Sequence, residues 1–298
     1  MKRFGRARDL TRLRRVAWVA LDFGYRGGWA ASLARRFLVH GRICVRTHEA
    51  RLGRWKRGKP LRIVFASDFH AGPVTHPELL NEASRAIAGG KPDLLLLGGD
   101  FISPFAQHID GLAARLAQIE APLGKFAVLG NHDLIADDEY IVEGLARAGV
   151  RTLINENVRL PVPYEELYIC GLDDFSDGSP DAKAMLRGAD GVRIVLMHSP
   201  EGLLALRGHR FELAFCGHTH GGQVALPGGR PIMMPGGPLN RQYAHGTHAL
   251  PDYEDATLIV SRGIGCSSLP VRLFAPPEVH VCTVLPAVVT HDSAMAAD

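Results

Sequence analysis

Seven side chains of metal-binding type recur in short motifs along this chain. Asp68 and His70 stand in Asp68-Phe69-His70, Asp100 in Gly99-Asp100, and Asn131 in Gly130-Asn131-His132-Asp133. His198 precedes Ser199-Pro200, and His218 and His220 fall in Gly217-His218-Thr219-His220-Gly221-Gly222-Gln223. Such a mixed oxygen and nitrogen set suits Mn, Fe or Zn better than Ca or an all-oxygen Mg site. Asp100 is the expected bridge between two divalent ions, because a carboxylate has two oxygens. If the backbone stays extended, Asp68-x-His70 and His218-x-His220 each point both side chains one way. Two ions roughly 3.5–4 Å apart lower the pKa of a bridging water and polarise a phosphoryl oxygen. The hydroxide would then attack phosphorus in line, with no covalent intermediate. His132 is the expected proton donor to the leaving oxygen, with Asp133 orienting its imidazole.

Something must gather these groups, and each motif sits just past a short apolar run. The runs predict strands at 61–66, 94–97, 126–129, 192–197 and 213–216. They alternate with predicted helices at 77–88, 109–119, 138–148, 181–186 and 201–207. Further strands are expected at 42–49, 150–153, 167–170, 223–226, 257–261 and 279–285. Apolar runs bounded by Gly or Pro fit strands covered on both faces, and the order implies an α/β domain. Ligands in open α/β sheets collect outside the carboxyl ends of strands, where five consecutive runs deliver metal-capable groups. Residues 51–60 read as a basic, solvated turn. The Gly- and Pro-rich stretch 227–251 reads as a long functional loop.

The chain has 298 residues, 46% of them hydrophobic, which is enough for a soluble globular core. Its net charge of +3 hides an asymmetry: residues 1–60 hold 17 Lys/Arg against Asp9, Asp22 and Glu49. The five cysteines form no CxxC pair and read as reduced, mostly buried thiols of a cytoplasmic protein. No stretch reaches the ~20 apolar residues of a spanning helix, and nothing resembles a cleaved signal, so export is disfavoured. Residues 1–40 read as a basic amphipathic helical arm. Leu10, Leu13, Ala17 and Leu21 form one face, with Trp18 and Phe23 for the headgroup zone. Its expected partner is the anionic inner face of the cell membrane, ahead of self-packing on the acidic body or a partner protein. Nucleic acid is disfavoured, since no basic patch lies outside the arm.

Taken together, the motifs resemble the calcineurin-like metallophosphoesterase superfamily, over about residues 42–286. Ser261-Arg262-Gly263-Ile264-Gly265, Leu269-Pro270-Val271-Arg272 and Pro277-Glu278-Val279 are similar to its bacterial YaeI/YkuE-type phosphodiesterase branch. That branch includes lipid A pathway enzymes that cleave UDP-diacylglucosamine. The resemblance implies a four-layer αββα sandwich of two mixed β-sheets flanked by helices. It implies one metal on Asp68, His70, Asp100 and His220, another on Asp100, Asn131, His198 and His218, and His132 as the catalytic acid. One departure stands in Gly99-Asp100-Phe101-Ile102-Ser103, where many members carry a second polar group. The hydrogen bonds that group supplies are therefore in question.

The expected function is a dinuclear-metal-dependent phosphoric ester hydrolase. Its substrate would be a phosphorylated small molecule or a lipid-linked phosphate. The rivals are a metal-poor scaffold on the same fold and a nuclease. Residues 41–286 would form the catalytic domain, and 287–298 a disordered tail. Arg272 is expected to clamp an anion, and Arg241 and Tyr243, beside Asn240, His245 and His248, to contact substrate. Asp137-Asp138-Glu139 reads as a helix's acidic first turn. Asp173, Asp174 and Asp177 read as a solvated turn. His40, His48, His76, His108, His209, His280 and His291 lack ligand-like neighbours. The sequence leaves oligomeric state unread.

Overall fold

The computed structural model describes residues 5–7, 12–37, 39–56, 58–254 and 256–287, with side chains of the first helix from Val16 onward. Among these residues twelve strands form: β1 (Cys44–Leu52), β2 (Leu61–Ala66), β3 (Leu94–Leu97), β4 (Lys125–Ala127), β5 (Val150–Thr152), β6 (Glu156–Arg159), β7 (Leu167–Gly171), β8 (Val192–Leu196), β9 (Leu213–Cys216), β10 (Gly246–Leu250), β11 (Ala256–Val260) and β12 (Glu278–Pro286). One six-stranded sheet runs β1-β12-β2-β3-β4-β5 and the other β10-β11-β9-β8-β7-β6. Both are mixed: β12 is antiparallel to β2, β10 to β11, and β6 to β7. The helices are α1 (Arg12–Gly24), α2 (Trp29–Arg36), α3 (Pro77–Gly89), α4 (Ile109–Ala117), α5 (Asn131–Ile135), α6 (Asp138–Arg147), α7 (Ala182–Met185) and α8 (Pro238–Gln242).

Side-chain alternation makes the four layers. Ile63, Phe65, Leu94 and Leu96 face inward to Ile194, Leu196, Leu213 and Phe215 of the other sheet. Val64, Ala66, Leu95 and Leu97 face outward under α3, α4 and α6. Val195, Ala214 and Cys216 do the same on the far side, under Met185 and Leu203. Strands covered on both faces need no polar positions, hence their uninterrupted apolar runs. The two sheets meet through pairs such as Phe65 and Phe215, whose ring centroids lie 5.2 Å apart. Register then places the site. Ala66 pairs with Leu97 and Leu97 with Ala127, so three loops leave one sheet side by side. Leu196 pairs with Phe215 in the other sheet, bringing its loops to the same end.

Several expected elements take another form. β6 and β10 were absent from the expectations because both are edge strands, partly exposed and polar, with no apolar run to mark them. The expected strand 223–226 is reduced to bridges at Val224 and Ala225. The helix expected at 201–207 is a 3-10 turn, Pro200–Leu204. The stretch 51–60 is not simply solvated: β1 continues to Leu52, and Trp55 is fully buried between the sheets. The arm is two helices with a break at Gly27 and Gly28, whose φ of 77° and 66° favour glycine. Leu10 and 288–298, most of the expected tail, lie outside the described residues, as does His291. Among the described residues no helix is long and apolar enough to cross a membrane.

Candidate metal centre

The seven expected side chains are brought to one end of the sandwich. Asp68 and His70 leave β2, Asp100 leaves β3, and Asn131 opens α5 after β4. His198 leaves β8, and His218 and His220 leave β9. The expected extended backbone is not how each pair converges. Asp68, His70, Asp100, His218 and His220 all have positive φ, between 42° and 70°. Left-handed non-glycine residues are uncommon, and here they turn loops sharply off the strand ends. Glycines allow the crowding: a Cβ on Gly130 would collide with Asp100 Oδ1, and one on Gly217 with Asp68 Oδ2.

Three overlapping groups have ligand atoms within 4.8 Å of one another: Asp68, His70, His220; His70, Asp100, His132; and Asp100, His198, His218. Asp100 belongs to two of them. Its Oδ1 accepts the His132 backbone N–H at 2.9 Å. Its Oδ2 lies 3.5 Å from His70 Nε2 and 3.4 Å from His198 Nε2. One oxygen, rather than the expected two, thus faces both sides. His70 Nε2 and His220 Nε2 are 3.0 Å apart, and His218 Nδ1 and His198 Nε2 3.1 Å. Asn131 Oδ1 lies 3.2 Å from His198 Nε2. Asp68 accepts from Ser67 Oγ at 2.6 Å and from the His218 N–H at 3.0 Å. The Gly98 carbonyl sits 2.8 Å from His198 Nδ1, the kind of outer contact that orients a ligand imidazole.

The electrostatics fit divalent cations. Burial lowers His70 and His220 well below the ordinary histidine range and His218 to about 3, leaving neutral rings with free lone pairs. Burial and neighbouring Asp100 raise Asp68 to about 7, despite nearby His198. Burial would raise Asp100 too, but His198, His132 and His70 hold it well below the carboxylate range. His198 is the exception among the rings: burial opposes its charge, yet Asp100, Asp68 and Asp174 raise it well above normal. Negative potential therefore concentrates beside His198. Buried carboxylates crowded against neutral imidazoles are costly alone, and a cation accepting their lone pairs offsets that cost. The donor set thus fits the metal its chemistry implies.

Other expected residues are placed differently. Asp133 serves the backbone: Oδ2 accepts Gly130 N–H at 3.0 Å, and Oδ1 accepts Phe101 N–H at 2.8 Å and Ile102 N–H at 3.4 Å. It caps α5 and steadies the loop after Asp100, where the second polar group of the motif is missing. The His132 ring packs instead between Trp18, at 4.9 Å, and the edge of His70, at 4.6 Å. Arg272 is engaged by the protein itself. It is buried, donating from Nη1 to Ala275 O and from Nε and Nη2 to Gly265 O, with Nη2 3.0 Å from His220 Nδ1. Arg241 and Tyr243 do not line the cavity of about 410 Å³ over the site. Its wall includes Gln223, Met233, Met234, Ser267, Ser268 and Leu269. Asn240 is buried, with Nδ2 on Gly236 O. Asp173, Asp174 and Asp177 are buried rather than solvated. Arg6 reaches back to Asp173 with two bonds of 2.9 Å, so part of the arm's charge is spent on the body. Met233 and Met234 come from the 227–251 stretch read as functional, whereas sequence reasoning did not single out Gln223, within a quoted motif, or Ser267 and Ser268, which follow another.

Comparison with known proteins agrees with this geometry. The model of the calcineurin-like phosphoesterase family matches residues 61–222. The uncharacterised metallophosphoesterase YkuE of Bacillus subtilis is 32% identical over 75% of this chain and 78% of its own. The phosphodiesterase YaeI of Escherichia coli is 30% identical over 74% of this chain and 80% of its own. The UDP-2,3-diacylglucosamine pyrophosphatase LpxG of Chlamydia muridarum is 26% identical over 76% and 84%. The chain belongs to the calcineurin-like phosphoesterase family: it is a metallophosphoesterase, a hydrolase of phosphoric ester bonds.

Proposed function

We propose that this metallophosphoesterase uses two divalent transition ions, manganese foremost with iron or zinc as alternatives, to hydrolyse a phosphodiester or pyrophosphate bond. The observation that carries the reading is Asp100, whose Oδ2 faces His70 on one side and His198 on the other. Asp68, His70, Asp100 and His220 would hold one ion, and Asp100, Asn131, His198 and His218 the second. Bound there, the ions supply Lewis acidity, making water more acidic and drawing charge from phosphoryl oxygens. The chain's own groups do the rest. Backbone N–H donors from His132 and His218 fix the two carboxylates. His132, at the cavity wall, gives a proton to the leaving oxygen.

A lipid-linked phosphate is the proposed substrate class. It rests on the pyrophosphatase activity for which LpxG is named and on the apolar rim of Met233, Met234 and Leu269. Residues 1–40 would act as an arm on residues 41–286. The exposed apolar side chains Val16, Phe23, Trp29, Leu33 and Phe37, among arginines, suit the anionic inner face of a membrane. The test is a hydrolysis screen on the metal-reconstituted chain. It spans monoesters, diesters, nucleotides, lipid pyrophosphates and nucleic acid, beside metal analysis and Asp100→Ala. Turnover of a lipid diester or pyrophosphate, lost in the variant, is expected. A chain that binds no transition metal overturns the reading for a scaffold, and steeply salt-dependent cleavage of nucleic acid overturns it for a nuclease.

A further inference from the structure

The arm does more than flank the body. Segment 5–7 is bonded to α5: Gly5 N–H donates to Ile135 O at 2.9 Å and Ala7 N–H to Leu134 O at 3.0 Å. Arg6 between them ion-pairs with Asp138 and Asp173, each at 2.9 Å. α1 then brings Trp18 against His132. Its neighbours Val16, Val19 and Phe23 are exposed, yet Trp18 turns in and is partly buried. The Trp18 and His132 rings are tilted 34° with centroids 4.9 Å apart, while His70 meets His132 at 85° from another side.

That arrangement answers a mechanical need. A histidine's second side-chain torsion joins sp³ to sp² carbon, so its preferences are broad and the backbone alone does not set the ring plane. Asp133, next to His132 in sequence, accepts from the backbone N–H groups of Gly130, Phe101 and Ile102. The tilted Trp18 ring and the edge of His70 press on the His132 ring from two sides, and such contacts restrict its plane. We propose that Trp18 is a positioning residue for proton delivery: it holds the His132 imidazole in line with the leaving oxygen, so the arm completes the active site. The proposal rests on His132 being the proton donor.

The step balances simply. Water oxygen bonds to phosphorus as the bond from phosphorus to the leaving oxygen breaks. The leaving oxygen takes a proton from the His132 imidazolium, and the ring regains one from the attacking water. Departure of an alkoxide needs that proton far more than departure of 4-nitrophenolate, so ring misalignment costs most with poor leaving groups.

The test uses the full chain, metal-loaded, with alkyl and 4-nitrophenyl phosphodiesters. Trp18→Ala is expected to lose about 10-fold to 100-fold in kcat on the alkyl ester, a far smaller factor on the 4-nitrophenyl ester, and no bound metal. Trp18→Phe should recover most of the loss. His132→Ala should show the same dependence on leaving group, and adding Trp18→Ala to it should cost nothing further. In the metal-free chain, tryptophan emission should change on His132→Ala, but not when Trp18→Phe is already present. Equal losses on both esters, or a parental rate on the alkyl ester, overturn the inference while leaving the proton donor intact. An unchanged emission overturns it too. A His132→Ala variant indifferent to leaving group overturns the proton donor and the inference together.

Discussion

The metal-binding cradle and the rim above it are built on opposite principles. Every cradle residue leaves the end of a strand within a short motif, and residues of these same motifs support one another. Ser67 donates to Asp68, Gly130 makes room for Asp100, and Asp133 ties α5 to the loop at Phe101. The rim is assembled from Met233–Pro235 on the long loop and Ser267–Leu269 beyond β11, while Trp18 on the arm packs on His132 of the same wall. The cradle is buried and crowded with charge, while Met233 and Leu269 are 69% and 51% exposed. On the proposed function, the chemistry would lie in short motifs at strand ends and substrate choice in the loops of the rim. Variants of the two regions should fail differently.

The widest separation is expected at Asp100. Asp100→Ala removes the oxygen facing both histidine pairs, and kcat should fall by about 10³-fold or more, on the scale of a lost charge-stabilising group. Bound metal should fall with it, read by elemental analysis of the purified chain. A variant that keeps both metal and rate would dissolve the distinction, because the cradle would then not depend on its centre. Arg272 is the next largest case. It lies outside the cradle but steadies His220 and satisfies the carbonyls of Gly265 and Ala275. Arg272→Leu should weaken metal binding about 10-fold to 100-fold, as outer-contact losses do, while Arg272→Lys loses less. Metal titration followed by calorimetry reads the difference. An unchanged affinity would class Arg272 with the general core.

The same division explains what was legible in the sequence. Strands β2, β3 and β9 could be read to the residue, because runs such as Leu94–Leu97 are buried on both faces. The convergence of Asp68 through His220 was legible because each motif is local. Its manner was not: the left-handed backbone at Asp68 and His70 replaces the extended geometry that alternation assumes. Asp133 was misassigned because adjacency to His132 says nothing of direction, and α5 turns it toward Phe101. Asp173 looked solvated because its counter-charge, Arg6, is 167 residues away. Trp18 over His132 is of the same kind. Nothing near position 18 announces a partner at position 132.

A smaller effect probes how the cradle is braced from below. Glu278, at the start of β12, accepts from Arg262 N–H at 2.8 Å and Arg262 Nη1 at 2.9 Å, and lies 3.2 Å from His280 Nε2. Burial alone would raise its carboxyl, but His280 and Arg262 bring it from 4.5 to about 2. A depressed folded pKa stabilises fully above the unfolded value and is lost as pH falls through the folded one. Glu278→Gln should therefore cost on the order of 3 kcal/mol at pH 7. The difference from parent should shrink between pH 4.5 and about 2. Denaturant unfolding at several pH values measures it. A difference independent of pH would mean that packing, not charge, braces this edge.

The mildest change is expected on the rim, and it sharpens the contrast most directly. Met233 and Leu269 line the cavity yet take no part in the metal-capable groups. An exposed apolar side chain gains contact only when an apolar ligand covers it, at about 25 cal/mol per Å². Met233→Ala and Leu269→Ala should each raise KM for a long-chain phosphodiester by about 3-fold to 10-fold, since a partial contact of this kind is worth roughly 1 kcal/mol. The KM for a short-chain diester should move little, with kcat and bound metal close to parental for both. The reasoning is that of uniform binding: a contact made equally in ground state and transition state alters affinity and leaves the chemical step alone. A fall in kcat on the short-chain ester would place these side chains among the reacting groups, and the rim could no longer be set apart from the cradle.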